Sequence, residues 1–149
     1  MFFLKELPSR EMMERYGSRY PEMNVNAVSD ALVMMRRASL LIRELEAYFA
    51  RFDLSLLRFL ILIIIDREPG KEALTMGEIK ERVDVSKPVM TRTIKTLDSD
   101  GLVAVSHRGA DRRSKLVLLT ESGRRTLDKV LPGYFELIGN FMGAGDGSS

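Results

Sequence analysis

The feature that most restricts how this 149-residue chain can fold is the stretch from Asp84 to Leu119. Asp84-Val85-Ser86 puts a serine where a helix N-cap belongs. Pro88 falls in the first turn, where a missing N–H leaves no intrahelical carbonyl unpaired. The pattern predicts a helix from Lys87 to about Asp98. At ~100° per residue, Met90, Thr93, Ile94 and Leu97 share one face, while Lys87, Pro88, Thr91, Arg92 and Lys95 share the opposite one. One side is built to pack and the other to meet something. Asp100-Gly101 then stops the helix and turns the chain. Leu102 to Arg108 and Lys115 to Thr120 read as the strands of a hairpin whose tip, Gly109 to Ser114, is polar and arginine-rich.

Charge concentrates on the same stretch. Val85 to Arg125 holds nine basic residues against four acidic, whereas Met1 to Gly70 holds ten of each and the whole chain carries a net charge of only +2. With 45% hydrophobic and 30% charged residues the chain is expected to fold as one soluble domain with a proper core. The absence of cysteine excludes disulfides, thiolate zinc sites and thiol redox sensing. His107 is the single histidine, and no phosphate-cradling glycine motif is present, so an enzyme is the weakest reading and no metal or cofactor is expected. The apolar run at Met1 is too short for a signal peptide. Leu54 to Ile65 is broken by Arg58 and falls short of the ~20 residues a membrane span needs, so a cytoplasmic protein without membrane contact is expected.

The remaining segments read in order. Residues 1–23 form an N-terminal extension with a short helix over Glu11 to Tyr16, punctuated by Gly17 and Pro21. Residues 24–52 form a long helix in which Val28, Ala31, Met35, Ala38, Ile42, Leu45, Phe49 and Phe52 keep the spacing of a helix–helix seam. Met34, Leu41 and Tyr48 widen that stripe beyond what one neighbour would cover, which points to a second subunit. Ser55 starts a helix over Leu56 to Asp66, despite enough isoleucine to suggest a strand. Thr75-Met76-Gly77-Glu78 is a capping box that starts another short helix, with Leu74 packing before it. Thr120 starts a last helix, to about Met142, in which Pro132 predicts a kink. Gly143 to Ser149 reads as a flexible tail.

A short helix, a turn, a capped helix and then a basic hairpin is the order of a winged helix-turn-helix. On Val85-Ser86, Thr91-Arg92, Leu97, Asp100-Gly101-Leu102, Asp111-Arg112-Arg113 and Leu119-Thr120-Glu121-Ser122-Gly123, the chain resembles the MarR family of bacterial transcriptional regulators. The resemblance spans about Ala31 to Phe135. Its most specific part is the Asp-x-Arg of the wing followed by Leu-Thr-Glu-x-Gly. The chain departs from the family pattern at Val89, where Ser or Thr is usual, at Lys80, where a small residue is usual, and at the tail, where one more helix is usual.

The expected architecture is therefore mostly α (α+β): a winged helix-turn-helix lobe over 53–120, with dimerisation helices at 24–52 and 121–142. The expected partners are double-stranded DNA and a second copy of the chain. Lys87, Thr91, Arg92 and Lys95 would face the major groove, with Arg92 suited to guanine or phosphate and Thr91 to phosphate or a thymine methyl, while Ser86 is an N-cap that could also donate to a phosphate. Asp111 would hold Arg113 ready for a narrow minor groove, and Arg112 would meet phosphate. The resemblance implies a homodimeric regulator, a repressor, acting on an inverted repeat and modulated by a small aromatic or anionic ligand near Met34, Leu41, Tyr48 or Phe59. The competing reading is a winged helix that binds protein rather than DNA.

Overall fold

Each helix starts on a polar side chain that satisfies one of the N–H groups its first turn leaves unpaired. The structure is a computed structural model describing residues 2–107 and 115–145. Helix α1 (Arg10–Arg19) begins at Ser9, whose hydroxyl accepts from the Met12 N–H, and α2 (Val25–Ala50) follows Asn24, which accepts from Ala27 at 2.9 Å. Helix α3 (Leu56–Asp66) starts at Ser55, and α5 (Lys87–Ser99) at Ser86. Between them α4 (Met76–Arg82) opens on a reciprocal box: Thr75 accepts from the Glu78 N–H at 3.0 Å, and Glu78 accepts from the Thr75 N–H at 3.1 Å. Helix α6 (Glu121–Gly145) starts at Thr120, which accepts from the Gly123 N–H at 3.0 Å.

A three-stranded antiparallel sheet joins β1 (Ala73–Thr75), β2 (Val103–His107) and β3 (Lys115–Leu119) in the order β1-β3-β2. Strand β1 is absent from the sequence expectation. Three residues are too few to display a period of two, and Leu74, expected only to pack before α4, is instead its buried centre, opposite Val117. The mostly helical class with a small sheet is as expected, and the isoleucine-rich segment from Leu56 is a helix. Helix α1 is longer than the expected Glu11 to Tyr16 and runs through Gly17. Helix α6 continues past Met142 to Gly145, so residues 143–145 of the expected tail are helical; once a helix is nucleated, each further residue adds a bond at little cost. The hairpin tip lies outside the described residues.

The chain divides into two units between Glu44 and Leu45, within α2. In the first, Gly17 lies so close to Val25 that a Cβ there would come within 2.6 Å of the Val25 Cγ2, and Arg10 ties α1 to Asn26 at 3.2 Å. In the second, α3 is central, packed on α4, α5, α6 and β3. An aromatic cluster joins Phe49, Phe59 and Tyr134, with Phe59 stacked 4.4 Å from Phe49 and tilted against Tyr134 at 4.7 Å. Tyr48 donates to the Val130 carbonyl at 2.6 Å and lies where a Cβ on Gly133 would sit.

Two turns fix the ends of α2 and α5. Asp53 and Gly101 take left-handed φ of 56° and 75°, and Leu54 and Leu102 reach back to the carbonyls of Phe49 and Leu97, each at 3.0 Å. Gly123 then meets this second turn. A Cβ on it would lie 2.1 Å from the Leu102 carbonyl oxygen, whereas nothing lies within 4 Å of the corresponding position on Gly139. Urea unfolding should separate these glycines. Gly123→Ala is expected to cost about 1–3 kcal/mol by overpacking against backbone, and Gly139→Ala to gain up to ~1 kcal/mol of helix propensity. Equal effects from the two would contradict this packing.

Candidate nucleic-acid interface

The inner face of α5 is buried as its periodicity requires. Met90, Ile94 and Leu97 are buried and Thr93 is half-buried, where the helix packs on α3 and β2. Lys87, Pro88, Thr91, Arg92 and Lys95 are all exposed on the outer face, so every residue expected there is there. Among the described residues, Lys87, Arg92 and Lys95 make no ion pair. Four arginines of the same unit are occupied: Arg58 faces Asp100 at 3.8 Å, Arg82 faces Glu68 at 3.1 Å, Arg124 faces Asp66 at 3.0 Å and Arg125 faces Glu121 at 3.5 Å, whereas Arg67, Lys80, Lys115 and Lys129 also make no ion pair among the described residues.

The three threonines of α5 divide in a way that spacing alone does not show. Thr93 donates to the Val89 carbonyl at 2.7 Å and Thr96 to the Arg92 carbonyl at 3.1 Å, so both hydroxyls are spent on their own helix. Thr91 is exposed and its hydroxyl is uncommitted among the described residues. Ser86 is exposed too, but its oxygen accepts the Val89 N–H at 3.4 Å, which gives it a capping role.

The charge order along α5 opposes the helix dipole. A helix favours anions in its first turn and cations in its last, and α4 obeys, with Glu78 at its start and Lys80 and Arg82 at its end. Helix α5 has no acid in its first turn and no base in its last; Lys87 stands at its start and Asp98 near its end. An arrangement that costs stability and collects positive potential at an exposed helix start fits a surface built for a polyanion. This inversion is legible in the sequence and went unused there.

Helix α4, which precedes α5, is held by the box described above. Hydrogen bonds from the Lys71 ammonium and then the Thr75 N–H lower the Glu78 carboxyl to about 2. Beyond α5, the register of β2 on β3 pairs His107 with Lys115, and residues 108–114 join the two strands in sequence. Asp111, Arg112 and Arg113, the expected wing contacts, belong to that segment and lie outside the described residues.

The expected ligand residues are placed differently from one another. Met34 is 67% exposed and Leu41 half-buried, both on α2. Tyr48 is half-buried with its hydroxyl engaged by Val130. Phe59 is 0% exposed, its ring packed in a three-way cluster with Phe49 and Tyr134, so it has no free surface to offer a ligand in this chain alone. No group of three or more acidic or histidine side chains suited to a metal occurs among the described residues, and no described helix is long and apolar enough to cross a membrane.

A capped helix presented beside a three-stranded sheet, preceded by a short boxed helix, defines a winged helix-turn-helix protein. Residues 52–114 match the MarR family. The chain is 27% identical over 139 residues to the HTH-type transcriptional repressor YetL of Bacillus subtilis, covering 93% of this chain and 83% of that protein. It is 31% identical over 86 residues to the transcriptional activatory protein BadR of Rhodopseudomonas palustris, covering 54% and 49%. Its fold is similar to that of Sco3205, a MarR family transcriptional regulator from Streptomyces coelicolor solved in complex with DNA, with a TM-score of 0.74, 18% identity and coverage of 80% and 75%. The family match thus covers the α3-to-hairpin part of the chain, and these relatives are named as transcriptional regulators.

Removing the charge inversion should be visible in stability. Lys87→Glu is expected to stabilise the protein by about 0.3–1 kcal/mol at low ionic strength, with the gain shrinking as salt is added. A destabilised Lys87→Glu variant would show that Lys87 has a structural partner.

Proposed function

We propose that this chain is a MarR-family transcriptional regulator, two copies of which set their α5 helices into successive major grooves of one DNA duplex, read an inverted repeat and repress transcription. The observation that carries this reading is the outer face of α5, where Lys87, Arg92 and Lys95 are exposed and unpaired among the described residues while Arg58, Arg82, Arg124 and Arg125 are matched to carboxylates. Arg92, with five donors in a fixed fork, suits guanine or phosphate. Thr91 brings an uncommitted hydroxyl, and Lys87 and Lys95 suit phosphates. Arg112 and Arg113, with Asp111 steadying the latter, are proposed to reach the flanking backbone and minor groove.

A homodimer is supported by apolar surface that neither unit covers. Val28, Met34, Met35 and Ile42 are exposed on α2, and Phe135 and Met142 on α6. Two helices that each leave large apolar side chains in water suit pairing with a second copy. A repressor is favoured because the match to the Bacillus subtilis repressor spans 93% of the chain, against 54% for the activatory protein. Modulation by a small aromatic or anionic ligand completes the reading.

Salt dependence of binding to a selected duplex tests it. The logarithm of affinity should fall steeply and linearly with the logarithm of salt between about 50 and 200 mM, and Arg92→Ala should reduce the slope by about two per dimer, one phosphate contact for each copy. Lys87→Glu should weaken binding even though it stabilises the fold. Flat salt dependence in the native protein would sink the proposal.

A further inference from the structure

Pro88 is the one exposed apolar residue on α5; the other exposed positions are Lys87, Thr91, Arg92, Lys95, Thr96, Asp98 and Ser99. It precedes Thr91 by three residues and Arg92 by four, so its ring lies on their side of the helix, one turn nearer the N-terminus. Its place in the first turn costs no intrahelical hydrogen bond, because the Ser86 hydroxyl serves the N–H of Val89. Helix formation therefore tolerates proline at this position without requiring it.

From these positions we infer that Pro88 is a specificity-determining residue that reads the C5-methyl group of a thymine in the operator half-site. This rests on the DNA-binding reading of α5. Recognition helices meet base edges with their N-terminal residues, which brings the Pro88 ring to the floor of the groove ahead of Thr91 and Arg92. A pyrrolidine ring has no donor and no acceptor to offer there. Against adenine, guanine or cytosine it would strip water from polar edges and return nothing. The thymine methyl is the one apolar group the major groove presents. Arg92, one turn on and engaged with guanine or phosphate, fixes the register in which the ring meets that methyl.

Replacing thymine by uracil removes the methyl and leaves base pairing unchanged. In the duplex recovered by selection, each thymine of one half-site is exchanged in turn for uracil, and binding of the full-length native protein and of Pro88→Ser is measured. The native protein should lose affinity about three- to fivefold at one position, the worth of one buried methyl group. Pro88→Ser should bind the thymine and uracil duplexes alike at that position, with native helix content by circular dichroism and an unchanged salt slope. Specific binding with no uracil penalty at any position overturns this inference and leaves the DNA-binding reading standing, as does a penalty that persists in Pro88→Ser. Recovery of no preferred duplex overturns both.

Discussion

The placement of α5 in this fold is referred to one close approach, that of Gly123 to the Leu102 carbonyl. The oxygen of Leu102 accepts the Thr120 N–H at 3.2 Å and lies where a side chain on Gly123 would begin. The Thr120 hydroxyl both caps α6 and donates to the Gly101 carbonyl at 2.6 Å. Two stretches separated by the hairpin, Asp100-Gly101-Leu102 and Leu119-Thr120-Glu121-Ser122-Gly123, are thus the two halves of one clamp. The clamp joins the end of α5 to the start of α6, so α5 and the sheet beside it are held as one piece. The physical content of that double motif is a turn that only glycine forms cheaply, a hydroxyl that serves two backbones and an α-carbon that must be bare.

On this frame the charges are sorted by use. Exposed ion pairs such as Arg124 with Asp66 contribute little to stability, since water and salt screen them, but they remove cations from the set available to a polyanion. Lys87, Arg92 and Lys95 of α5 stay uncommitted among the described residues and share one exposed face, in an order that runs against the helix dipole. Stability is given up where Lys87 stands at the helix start, and the burial of Met90, Ile94 and Leu97 holds the helix in place regardless. Binding surfaces that conflict with local helix rules are expected where function and folding make opposite demands.

The sequence disclosed most of this arrangement because the relevant signals are local. The caps at Ser55, Ser86 and Thr120, the box at Thr75 and Glu78, and the two faces of α5 each depend on residues within a turn or two of one another, and all are found where the spacing put them. Strand β1 was hidden because its identity lies in pairing with β3 across some forty residues of chain, not in three residues of pattern. The burial of Phe59 was hidden for a related reason: spacing showed an aromatic residue on α3 but could not show the rings of Phe49 and Tyr134 packing against it. The commitment of Thr93 and Thr96 to their own carbonyls was likewise invisible, since a hydroxyl's partner depends on its rotamer. The width of the apolar stripe on α2 already pointed to a second subunit, whereas the expectation of a ligand came from resemblance, since no spacing in one chain encodes it.

Hydroxyl-radical footprinting of the selected duplex, with the mass of the complex measured alongside, tests the central claim most directly. Two copies per duplex with two protected segments centred one helical turn apart, about 34 Å, is the result this account predicts. A single copy bound, or protection spread evenly along the duplex without a centre, would contradict it.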